Sequence, residues 1–115
     1  MWEYPGCIFV PETPKDLQKG LPIITKEKAK FAIRSGGHNP ALGAAATEGG
    51  VLVDLSNFDT LSYDAANNLA QLGVGRRWGE VYDYLDQYQV TVVGGRVLDV
   101  GVGGLILGCE WHSPV

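Results

Sequence analysis

Hydrophobic and polar positions along the chain follow two periods, one of strands and one of helices. Cys7-Ile8-Phe9-Val10 is a short apolar run between Pro5 and Pro11 and predicts a strand. Thr13-Pro14-Lys15-Asp16 then reads as a helix start, with a capping hydroxyl, proline at the first position and an acid in the first turn. Leu17, Leu21 and Ile24 fall at i, i+4 and i+7 and make one apolar face. Gly20 weakens this helix, and Pro22 is expected to end or kink it. Lys30 to Arg34 predicts a second strand that runs directly into Ser35-Gly36-Gly37-His38-Asn39-Pro40. Strand, helix, strand and glycine turn together read as a βαβ unit whose second strand ends at a ligand.

A polar loop from Pro40 to Gly50 leads to a third predicted strand, Val51 to Leu55, and then to a polar stretch with a turn signal at Asn67-Asn68. Leu69 to Gly75 alternates loosely and predicts a fourth strand. Trp78, Val81, Tyr82 and Leu85 recur at helical spacing, with Glu80, Asp83, Asp86 and Gln87 on the other faces. That aromatic stripe reads as core packing. Val90 to Val93 predicts a fifth strand ending in Gly94-Gly95, and Val100 to Gly108 a glycine turn that opens a short apolar helix.

Composition sharpens this picture. The 115 residues, 45% of them hydrophobic, suffice for one packed domain. The formal net charge of −4 argues against a nucleic-acid partner, which calls for a clustered basic face. Lys26, Lys28 and Lys30 are the one small basic cluster and read as a solvated helix end. No stretch reaches the length of a membrane span, so no membrane partner is expected. Cys7 and Cys109 lie near opposite ends without C-x-x-C spacing, which argues against a zinc site or a redox dithiol.

The sixteen glycines are about twice the usual share, and eleven of them fall in two groups. One holds Gly36, Gly37, Gly43, Gly49 and Gly50; the other holds Gly94, Gly95, Gly101, Gly103, Gly104 and Gly108. Glycine serves where the backbone takes positive φ or must approach another group closely. In Arg34-Ser35-Gly36-Gly37-His38-Asn39 a turn would expose successive amides as a nest for phosphate oxygens, with a hydroxyl from Ser35 and a charge from Arg34. Gly101-Val102-Gly103-Gly104 would offer the free amides of a helix start to the same kind of ligand. Ile106 stands where a dinucleotide fingerprint needs its third glycine, and no G-K-[ST] follows, so neither a nicotinamide Rossmann site nor a P-loop fits.

Two histidines remain. His38 lies in the first glycine turn and is open to service as a metal ligand, a general base or a point of covalent attachment. Metal ligation finds no His or Cys neighbour in the sequence, so no metal site is expected. A Ser35–His38–Asp54 hydrolase can be written, but the strained G-x-S-x-G elbow is missing. His112 carries no assignable role.

Four segments in register carry a family resemblance. They are Phe31 to Pro40, Gly50 to Ser56, Gly75-Arg76-Arg77-Trp78-Gly79-Glu80-Val81, and Val100 to Gly108. From about Cys7 to Gly108 the chain resembles the front part of an FAD-binding PCMH-type domain, of the vanillyl-alcohol-oxidase or berberine-bridge-enzyme-like flavoproteins. The seven residues after Gly108 depart from the pattern, since relatives continue there with further glycines, and they look like the edge of a truncation or an altered reading frame.

The resemblance implies an α+β fold: a partial flavin domain with a mixed β-sheet and flanking helices, and FAD across the loops. It implies that Arg34, Ser35, Gly36, Gly37, His38, Asn39 and Gly43, with Gly94, Gly95, Gly101, Val102, Gly103, Gly104 and Leu105, hold FAD. His38 occupies the place where many relatives carry the flavin by an 8α-histidyl bond. Some relatives add a second link through a cysteine, but that place here is Val97, so a single link is implied. The implied reaction is hydride removal from a C–H next to oxygen or nitrogen of a small-molecule substrate, with dioxygen as the expected electron acceptor. Relatives place substrate on a further domain, so no general base is assigned. The alternative reading is a non-catalytic flavin-binding remnant. Relatives are often secreted, whereas Met1 to Val10 lacks the basic start and apolar core of an export signal.

Overall fold

A computed structural model describes residues 3–108. The predicted disposition of Cys109 and His112 lies outside these residues. The element order is β1 (Cys7–Phe9), α1 (Pro14–Lys26), β2 (Phe31–Arg34), β3 (Val51–Asp54), β4 (Leu61–Asp64), β5 (Leu69–Leu72), α2 (Trp78–Asp86) and α3 (Val102–Gly108). The α+β expectation holds, with parallel and antiparallel pairing both present but in separate sheets.

The first sheet is parallel in the order β1-β3-β2. Val51 faces Cys7 on one side and Phe31 on the other, and Val53 faces Phe9 and Ile33. As the central strand, β3 is covered on both faces: Leu52 and Val53 are both buried. This is why its sequence is continuously apolar rather than alternating.

Helix α1 begins as its sequence dictates. The Thr13 hydroxyl accepts from the Asp16 amide at 3.3 Å, and the Asp16 carboxylate accepts from the Thr13 amide at 2.8 Å, a complete capping box. Pro22 does not end it; the helix runs on to Lys26. Gln18, whose carbonyl the missing Pro22 N–H would have bonded, is exposed, as is Pro22. Gly20 admits the Phe9 ring: a Cβ there would lie 2.5 Å from it.

The second sheet is the antiparallel hairpin β4–β5, with Leu61 opposite Leu72 and Asp64 opposite Leu69. Its first strand lies inside the stretch read as polar and was not expected. The Asp64 carboxylate holds the turn, accepting from the amides of Ala66 and Asn67 and from Asn67 Nδ2, while Asn68 takes φ 53°. Strand β5 stops at Leu72 rather than at Gly75. Beyond it the Gly73 and Gly75 amides still donate in register to the Thr60 and Phe58 carbonyls, at 2.6 and 2.9 Å.

Helix α2 buries Trp78, Val81 and Leu85 against Leu61, Leu72, Val90 and Val92, and Val102 of α3 joins the same core. The strand expected over Val90 to Val93 is not formed. Val90 and Val92 turn inward and Thr91 and Val93 outward, so the alternation is real, but among the described residues no strand lies beside it to complete a ladder. No helix among the described residues is long and apolar enough to cross a membrane.

Candidate functional site

The two glycine bends meet. A cleft of about 330 Å³ is lined by Ile33, Ser35 to Asn39, Ala44, Ala45, Val100, Gly101, Gly104, Leu105 and Gly108. Strand β2 delivers the first bend from the C-terminal end of the parallel sheet, where α/β ligands are commonly held. The second bend is delivered by the core: Val102 is buried, its amide donates to the Arg76 carbonyl at 2.8 Å, and Gly101 bridges Arg77.

Contact between the bends is backbone to backbone. A Cβ on Gly36 would lie 2.6 Å from the Gly101 Cα, and one on Gly101 would lie 2.7 Å from the Gly36 Cα. These two glycines are needed by the fold itself. Gly37 needs its φ of 70°, in the left-handed region. Gly104 is different: a Cβ there would meet nothing within 4 Å, so that position faces open space at the cleft.

His38 is exposed and borders the cleft as well as an adjoining hollow of about 290 Å³ reaching Arg34, Pro40 and Ala46. Asn39 lines both, and its Oδ1 accepts from the Ala41 amide at 3.0 Å, which leaves its Nδ2 as a donor. The Ser35 hydroxyl donates to the Val74 carbonyl at 2.5 Å. Arg34 lies outside the cleft, with its Nε 3.5 Å from Asp54 Oδ2. That Nε is buried without a hydrogen-bond partner.

Other residues marked from sequence also sit elsewhere. Gly43 takes φ 77° in the loop after the first bend, and its amide donates to Glu3 Oε2 at 2.8 Å. Gly94 and Gly95 form the bed of Trp78; a Cβ on Gly95 would lie 2.5 Å from its indole ring, and the Gly95 carbonyl accepts from the Tyr82 hydroxyl at 2.9 Å. Gly103 packs on Val74, 3.2 Å from a built Cβ. Conversely, Ile33, Ala44, Ala45, Val100 and Gly108 line the cleft without having been marked. Alternation along β2 was the available signal for Ile33; the two alanines had none beyond their small size.

Arg77 frames the site from below. Its guanidinium hydrogen-bonds the Asp99 carbonyl and lies 3.0 Å from the Asp99 carboxylate, which fixes the approach to Gly101. Its amide donates to Glu80 Oε2 at 2.7 Å, and Arg76 pairs with Glu80 Oε1 at 3.1 Å. That backbone bond, then desolvation opposing it, then Arg76, set the Glu80 carboxyl below the usual glutamate range.

Such a cleft suits a flat, phosphate-bearing ligand. Seven of its thirteen lining residues are Gly or Ala, so a ligand reaches main chain rather than side chains, and none of the thirteen is acidic. Among the described residues no three His, Cys, Asp or Glu side chains group to hold a metal ion.

A glycine-walled cleft at the end of a parallel sheet, with a histidine at its rim, is the form of a nucleotide-cofactor domain. The chain belongs to the FAD binding domain family, whose model matches residues 5–113. It is a PCMH-type FAD-binding domain, and FAD is its cofactor. An FAD-dependent monooxygenase of Arthrobotrys oligospora is 43% identical over 109 residues, covering 93% of this chain and 21% of that protein. Crystalline 6-hydroxy-D-nicotine oxidase of Arthrobacter nicotinovorans superposes with a TM-score of 0.80 at 26% identity, over 89% of this chain and 22% of that one. A berberine bridge enzyme variant in complex with (S)-reticuline superposes at 0.76 with 27% identity, over 86% of this chain and 20% of that one. The chain thus spans about a fifth of the length of the curated relatives it matches.

Proposed function

We propose that this chain is the cofactor-holding part of an oxidoreductase that carries FAD covalently through His38 and acts on a small-molecule substrate. The observation that supports this most is that His38 and both glycine bends line one cleft. When bound, the flavin would supply a hydride acceptor for a substrate C–H next to oxygen or nitrogen, with dioxygen taking up the electrons.

The chain's own residues position that cofactor. Gly36, Gly37 and Gly101 would bring main chain to the diphosphate, and Gly104 would leave room beside it. Asn39 donates from Nδ2, and Leu105 and Ile33 give an apolar wall. The imidazole of His38, exposed at the rim, would hold the flavin by one bond. Attachment there would keep the cofactor from leaving. The names of relatives, which include both monooxygenases and oxidases, accord with dioxygen as acceptor.

The test is acid denaturation of the purified chain. Yellow colour that stays with the polypeptide, and is lost in His38→Ala, is the expected result. Colour that washes off the wild type removes the covalent link, and a colourless protein that FAD does not stain overturns the reading. Covalent flavin retained in His38→Ala assigns the link elsewhere.

A further inference from the structure

Three separate segments converge at the Ser35 side chain. Its Oγ donates to the Val74 carbonyl, thirty-nine positions away, at 2.5 Å. The same Oγ lies 2.6 Å from a Cβ built on Gly101 and 3.3 Å from one built on Gly103, so it fills the space those glycines leave. Val74 is itself fixed, because Gly73 donates to the Thr60 carbonyl at 2.6 Å and Gly75 to the Phe58 carbonyl at 2.9 Å. Two positions on, the Arg76 carbonyl accepts from the Val102 amide at 2.8 Å. The first bend, the segment from Gly73 to Arg76 and the second bend therefore meet at one hydroxyl.

A serine hydroxyl has a single hydrogen. At Ser35 that hydrogen is spent on Val74, and what remains are lone pairs, which phosphate oxygens do not seek. We infer that Ser35 is a positioning residue of the flavin cleft: its hydroxyl latches the first bend to the segment that carries the second, and it is not a ligand of the cofactor's diphosphate. The inference rests on the FAD reading for what the latch serves, while the latch itself is a property of the chain without ligand.

The experiment is amide hydrogen exchange at Val102 in the ligand-free chain, paired with fluorescence titration by FAD, for the wild type, Ser35→Ala and Ser35→Thr. In Ser35→Ala the Val102 amide is expected to exchange about five- to tenfold faster, the factor a typical net hydrogen bond confers, and FAD affinity to fall. Ser35→Thr, which keeps the hydroxyl, is expected to restore both. A fall in FAD affinity with Val102 exchange unchanged would make Ser35 a direct phosphate ligand and overturn the inference; so would an exchange rate and an affinity that both stay at wild-type values. Should Ser35→Ala not fold, Ser35→Cys decides in its place: faster exchange than Ser35→Thr supports the latch, and equal exchange overturns it. Wild-type chain that takes up no FAD would count against the flavin reading alone, since the exchange measurement still decides the latch.

Discussion

Gly36 and Gly101 touch through their main chains, and neither can carry a side chain without meeting the other. Sixty-five positions separate them in the sequence. The cleft exists because this contact closes, so the glycines at its centre serve the fold first and the ligand second.

Gly36→Ala and Gly101→Ala are therefore expected to destabilise the chain before any cofactor is added. Forcing a methyl into a packed contact costs about 1–3 kcal/mol, and backbone neighbours have less room to yield than side chains. A melt of the ligand-free protein should fall by roughly 4–8 °C for each kcal/mol lost. Unchanged melting in both variants would mean that the bends are not held together.

Gly104→Ala separates ligand from fold. Nothing lies within 4 Å of a Cβ there, and the residue is in the first turn of α3. Alanine is better than glycine within a helix by up to about 1 kcal/mol, so the melt should hold or rise. The added methyl projects into cleft space, so FAD affinity is expected to drop several-fold. Titration and melting on the same sample check both halves, and loss of stability would contradict the open position.

Much of this was legible beforehand, and the failures have physical reasons. Thr13, Pro14 and Asp16 announced α1 because capping is local chemistry, and Trp78, Val81 and Leu85 announced α2 because a helix buries one stripe. Strand β4 escaped because Leu61-Ser62-Tyr63-Asp64 is too short for alternation to stand out, and it is a strand by virtue of its partner β5. Val90 to Val93 failed in the opposite sense: the alternation is present, but pairing is a tertiary event. At the site, sequence located both bends but could not separate glycines that pack, such as Gly94, Gly95 and Gly103, from those at the cleft. Nor could it show that Ser35 is already bonded to Val74.

Thr13→Ala tests the scaffold away from the cleft. Losing an N-cap hydroxyl costs about 1 kcal/mol, within a range of 0.5–2, and Asp16 would lose the hydroxyl that bonds its carboxylate at 2.8 Å. Thermal unfolding should shift down while FAD affinity is unchanged. A matching loss of affinity would tie α1 to the site more closely than its position at Phe9 and Gly20 implies.

Acid should loosen the approach to the second bend through Glu80. Its carboxyl is held below the usual glutamate range first by the Arg77 amide, against desolvation, and then by Arg76. A carboxylate whose pKa is lower folded than unfolded stabilises fully above the unfolded value, and that contribution disappears as pH falls through the folded one. Asp16 and Asp64 are lowered as well, by bonds to Thr13 and Asn67, and weaken the fold in the same direction. The contribution of Glu80 is therefore read as the difference between wild type and Glu80→Gln. That difference should be constant from neutral pH down to the ordinary glutamate range, then shrink as pH falls further. Salt divides it again, because Glu80 is 47% exposed and its pairing with Arg76 is screened at about 1 M. The bond from the Arg77 amide is short and directional, so part of the difference should persist in high salt. A difference that vanishes entirely in salt would leave the α2 start resting on Arg76 alone.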